Sequence, residues 1–148
     1  MAREYRLVVF NALMLRALIL NDNERFPHEL AAFRTAFQGR RFGLVLTDGI
    51  LSEYQIEANK FPPFRLQPTL NTLFGQSRAI RVDEFRLNRS NIQLTGLPDE
   101  HKDFVVDALA ARASYLVTNR PEWLRLSTQT SGSGLQILTP RRFAELEG

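Results

Sequence analysis

Four short apolar runs, set between segments of helical periodicity, limit what this chain can fold into more than any other feature. Arg6 to Phe10, Phe42 to Leu46, Tyr115 to Thr118 and Leu135 to Leu138 are too short for buried helices and rich in residues that suit strands. Ala79 to Val82 reads as a fifth, shorter strand. The intervening segments carry helix signals. Leu13 to Leu20 holds helix formers until Asn21 to Glu24 punctuate the chain. Pro27 suits a first helical turn, Leu30, Phe33, Ala36 and Phe37 then share a face, and Gly39 ends the run beside Arg40 and Arg41. Thr47 or Asp48 caps the next helix, which carries Ile50, Leu51 and Tyr54. Pro98, Asp99 and Glu100 open a helix running through Ala113, with Phe104, Val105, Ala108 and Leu109 inward, and Pro140 opens a closing one. Strands that alternate with helices pair in parallel through right-handed crossovers. The expected fold is therefore α/β: a three-layer α/β/α sandwich around a central, mostly parallel sheet, in a single domain over residues 1–148.

Less is legible elsewhere. Gln67 to Gln76 suits a helix, Asn88 to Gly96 has no definite pattern, and Thr130 to Gly134 reads as a flexible loop. With 148 residues, 44% hydrophobic and 24% charged, the chain can bury a core without disulfides or a structural metal. It has no cysteine, which removes thiolate zinc sites and cysteine nucleophiles and fits a reducing, cytoplasmic setting. Asn11 and Arg16 break the longest apolar run, Leu7 to Leu20, so neither a membrane span nor a signal peptide is expected. A net charge of +3 permits a nucleic-acid partner. Lys60, Arg65, Arg78, Arg81, Arg86 and Arg89 face only Asp83 and Glu84 within their segment, which makes it either a solvated surface or a phosphate-contacting face.

The order of pieces resembles a PIN domain, especially the group found as toxins of bacterial toxin–antitoxin pairs. Val8 to Leu15 is similar to that family's first strand and turn, and Leu44 to Tyr54 to its second strand and acid-bearing helix. Ala108 to Thr118 resembles its helix that turns through small residues into a strand ending Val-Thr, and Ile137 to Phe143 its closing strand and helix. The resemblance spans nearly the whole chain except residues 60–95. It implies metal-assisted phosphodiester hydrolysis, in which carboxylates beyond the strand ends hold Mg²⁺ or Mn²⁺.

The acids that the resemblance calls for are mostly replaced. The four positions fall on Asn11, Glu53, Lys102 and Arg120, and the polar pair that often follows the first is Ala12 and Leu13. Four carboxylates would carry about −4, whereas these four side chains carry about +1. Like unit charges at ~4 Å repel by roughly 4 kcal/mol at an effective dielectric of 20, so a divalent cation is disfavoured and an anion favoured. The expectation is a protein without a metal cofactor that binds RNA, DNA or a nucleotide phosphate through Lys102, Asn119 and Arg120. A shift of register would instead bring Asp103 into play, with Glu53 and Asp99 or Asp107, as an atypical Mg²⁺- or Mn²⁺-dependent ribonuclease. A third reading is a non-catalytic structural or partner-binding domain. A homodimer and an antitoxin-like protein partner follow from the resemblance alone.

Plainer readings stand beside these. Glu53 suits an ordinary helix surface, Asp103 and Asp107, at i and i+4, a solvated face, and Lys102 and Arg120 plain surface charge. His28 and His101 lack metal-type spacing, and Ser131 to Gly134 lacks the lysine of a phosphate-binding loop. Trp123, two residues after Pro121, is expected to pack into the core rather than to stack a base.

Overall fold

In the computed structural model, residues 6–12, 14, 17, 22–37, 42–60, 79–81, 99–130, 132 and 134–147 are described, without the side chains of 37, 58, 79–81, 99–101 and 103. Five strands, β1 (Arg6–Phe10), β2 (Phe42–Leu46), β3 (Ala79–Arg81), β4 (Tyr115–Val117) and β5 (Gln136–Leu138), form one sheet in the order β3-β2-β1-β4-β5. Every pairing is parallel. β2 is buried along its whole length, which accounts for its unbroken apolar run. Among the described residues, the longer helices are α1 (Pro27–Phe37), α2 (Asp48–Asn59), α3 (Asp99–Ala110) and α6 (Pro140–Glu147). α1 packs on α6 and α2 on α3, so the sheet is a middle layer between two helix pairs.

Aromatic side chains fill both interfaces. Phe143 of α6 lies among Phe10, Phe42 and Tyr115, at centroid separations of 6.2, 5.4 and 5.2 Å, each in edge-on geometry. Phe33 of α1 joins the cluster 4.6 Å from Phe10. Between α2 and α3, Tyr54 packs on Phe104, and Phe104 on Trp123 at 5.1 Å. Trp123 is fully enclosed, the core role expected of it.

The structure departs from the sequence reading in several places. The long third helix stops at Ala110, not Ala113, because Arg112 adopts a left-handed φ of 58°. The N–H of Ala113 then bonds back to the Ala108 carbonyl and that of Arg112 to Leu109, which together close the helix end without glycine. Two short helices, α4 (Pro121–Leu124) and α5 (Ser127–Thr130), were not expected, and Thr130 ends α5 rather than opening a loop. The Thr130 hydroxyl donates to the Leu135 carbonyl at 3.0 Å, bridging to the start of β5. Met14 and Ala17 are helical and buried, in keeping with the helix formers there. The segments Gln67 to Gln76 and Asn88 to Gly96 lie outside the described residues, as do the arginines of the basic middle segment except Arg81, whose backbone ends β3. Lys60, at its start, pairs with Glu57 at 3.7 Å. Among the described residues, no helix is long and apolar enough to cross a membrane.

Candidate functional site

The strand order reverses between β1 and β4: the chain steps outward from β1 through β2 to β3, then returns to β4 on the other flank. At such a reversal the loops leaving neighbouring strands diverge and open a crevice beyond their C-terminal ends. The residues there are Asn11 after β1 and Thr118, Asn119 and Arg120 after β4. The Asn11 N–H donates to the Val117 carbonyl at 2.9 Å, so the two strand ends are tied side by side.

The four positions singled out by sequence are not equivalent in space. Asn11 is only 2% exposed and belongs to the interior. Glu53 is half-buried on α2, next to Tyr54, whose hydroxyl donates to the Phe10 carbonyl at 2.7 Å. Burial, and then the charge of Glu53, push the Tyr54 hydroxyl far above the usual tyrosine range, so it stays protonated and keeps that hydrogen bond. α2 is thus pinned to the end of β1, one residue before Asn11. Lys102 is half-buried on α3. Asp99 and Asp103 lie on the same helix, with side chains outside the described residues, as is that of His101. His28 is exposed on α1.

Arg120 is held on several sides. Its backbone N–H donates to the Thr118 hydroxyl at 3.0 Å, and its guanidinium lies over the Trp123 ring, 5.8 Å from the centroid. Two acids that the sequence reading did not connect with it stand in the same loop region. Glu122 approaches the Arg120 Nη1 at 3.6 Å, and Glu29 of α1 accepts a 2.8 Å hydrogen bond from the Asn119 amide. The charge beyond β4 is therefore closer to balance than the four positions suggest. Nothing in local spacing announces the contact with Glu29, which lies 90 residues away from Asn119.

Asp107 corrects an expectation. It is not on a solvated face but 1% exposed, and its Oδ2 accepts a 2.5 Å hydrogen bond from the Thr47 hydroxyl. The same hydroxyl accepts the Ile50 N–H at 3.1 Å, which makes Thr47, not Asp48, the cap of α2. The carboxylate lies so close to α2 that a Cβ on Gly49 would stand 2.7 Å from Oδ2. Thr47, Gly49 and Asp107 thus form a buried joint between α2 and α3. Thr47 was visible in the sequence as a cap, but its link to Asp107 spans 60 residues and has no local signature.

Among the described residues, no three His, Asp or Glu side chains gather as metal ligands would. The side chains at the four positions are an amide, a carboxylate, an ammonium and a guanidinium, a set that does not suit a hard divalent cation. No family model matches the chain, and no curated protein matches it.

Proposed function

We propose that this chain is a PIN-like protein that binds nucleic-acid or nucleotide phosphates in the crevice beyond β1 and β4 and does not hydrolyse them. The observation that carries this reading is the position of Arg120, partly exposed and backed by Trp123, directly beyond β4 at the reversal of strand order. Arginine there sets a planar fork of donors, of the kind that matches phosphate oxygens, over an indole face. Lys102 adds a second cation from α3. Asn119 contributes less directly, since its amide is engaged with Glu29 and its role is to fix the loop. A divalent metal has no step in this reading, because a guanidinium stands where a carboxylate ligand would be needed.

Fluorescence anisotropy with a short labelled single-stranded RNA tests the proposal. Binding is expected to weaken steeply with salt, and Arg120→Gln to lower affinity at least roughly tenfold at low salt. Incubation with Mn²⁺ is expected to leave the RNA intact. Cleavage that Glu53→Gln abolishes would instead establish a working nuclease, and a wild type that ignores RNA, DNA and nucleotides alike would end the phosphate reading.

A further inference from the structure

We infer that Glu29 reads the base of the bound nucleotide and selects guanine, with Asn119 holding its carboxylate in position. The inference rests on the reading of the crevice as a nucleic-acid or nucleotide site and says which base that site prefers.

Two fixed elements bring the pair together. Glu29 stands in the first turn of α1, next to Leu30, which is buried and whose N–H donates to the Phe26 carbonyl at 3.1 Å. Asn119 follows Thr118, a fully buried residue whose N–H donates to the Leu138 carbonyl at 2.9 Å. The backbone is thus anchored on both sides, and the two side chains meet beyond the end of β4, Glu29 half-buried and Asn119 exposed. An acid in a first helical turn suits the helix dipole wherever it points. The 2.8 Å bond from the Asn119 amide to the Glu29 Oε1 fixes where this one points.

A carboxylate beside a phosphate site repels the very backbone that the cations attract. It becomes useful when it reads a base. The Watson–Crick edge of guanine carries two adjacent donors, the ring N1–H and the N2 amino group, which match the two oxygens of a carboxylate in parallel charge-assisted bonds. Adenine and cytosine each set one amino donor beside a ring acceptor, and uracil sets one N–H between two carbonyls, so each turns an acceptor toward the second oxygen. Asn119 takes one of the roughly four lone-pair sites on the carboxylate, so its bond is compatible with both bonds to guanine. Single strands present this edge to protein, and sequence in RNA is commonly read there.

Fluorescence anisotropy tests the inference with short labelled oligouridine strands that carry one central guanine, hypoxanthine or adenine. Hypoxanthine keeps the N1–H and lacks the N2 amino group. The wild type is expected to bind the guanine strand at least roughly fivefold tighter than the adenine strand, with hypoxanthine between them. Glu29→Gln should bring the guanine strand down to the level of the adenine strand. Glu145→Gln, on α6 and paired with Arg141 and Arg142, changes net charge by the same amount and should keep the preference. The ratio between strands is the readout, since a loss of structure or a change of net charge moves all three alike. Where only mononucleotides bind, the same ratio is read on GMP, IMP and AMP. Equal affinity for guanine and adenine in the wild type, or a guanine preference that survives Glu29→Gln, would overturn the inference and leave the crevice reading standing. If the wild type binds none of the strands, no DNA and no nucleotide, both fall together.

Discussion

Two arginines, Arg6 at the N-terminal edge of the sheet and Arg120 at the C-terminal edge, show how differently the two ends of one fold use the same side chain. Arg6 donates to Glu147 at 2.7 Å and to the Tyr115 hydroxyl at 2.8 Å, and lies over the rings of Phe42 and Tyr115 at 5.3 and 5.1 Å. Tyr115 in turn donates to the same Glu147 oxygen, so the three groups close a ring of charge-assisted bonds. Arg120 lies over the Trp123 ring at 5.8 Å, with the Glu122 carboxylate at 3.6 Å. The first arrangement joins β1 to α6. The second sets a guanidinium in the loop beyond β4, at the reversal of strand order.

The largest expected effect separates the two edges by stability. Phe143→Ala opens the aromatic cluster at β1, β2 and β4 and should lower unfolding free energy by about 3–5 kcal/mol, as chemical denaturation would read it. A loss below about 1 kcal/mol would show that this edge is not the mechanical anchor the ring contacts imply. Gly49→Ala tests the other edge. The added Cβ meets a buried carboxylate oxygen at 2.7 Å, so a loss of about 1–3 kcal/mol is expected. Asp107→Ala in the same background should recover part of that loss, and no recovery would dissociate Gly49 from the joint. The smallest effect is a pH dependence. Burial pushes the hydroxyls of Tyr54 and Tyr115 above the ordinary tyrosine value. A group whose folded pKa is raised gives stability that is complete below the unfolded value near 10 and is lost as pH rises through the folded one. Melting temperature should therefore fall above about pH 10, and Tyr115→Phe should flatten part of that fall. An unchanged slope would remove Tyr115 from the alkaline transition.

The strands were legible because each buried run has no other use: Phe42 to Leu46 is apolar throughout and enclosed throughout. The parallel pairing followed from their alternation with helices. The end of α3 was not legible, since the turn is made by Arg112 at positive φ where a sequence would ordinarily advertise glycine. Nor was α5, a polar stretch whose helical turn is fixed by Thr130 reaching the Leu135 carbonyl. α4 had a readable start in Pro121, but nothing that set its length. The residues after β1 and β4 were singled out through the family resemblance, as those following the first strand and those following Val117 and Thr118. Their partners were not, because Glu29 reaches Asn119 across 90 residues of chain. The same holds for the joint beyond β2, where Asp107 meets Thr47 across 60. Charge counted along a sequence omits a neighbour such as Glu29, which with Glu122 brings the loop after β4 nearer to neutrality.

The ring formed by Arg6, Tyr115 and Glu147 has a topological consequence. It brings residues 6 and 147 within a hydrogen bond of each other at the edge remote from the crevice. A covalent cross-link between side chains 6 and 147 would therefore close a loop that contains all five strands described. It would restrict the unfolded chain while leaving the sheet order and the Arg120 loop untouched.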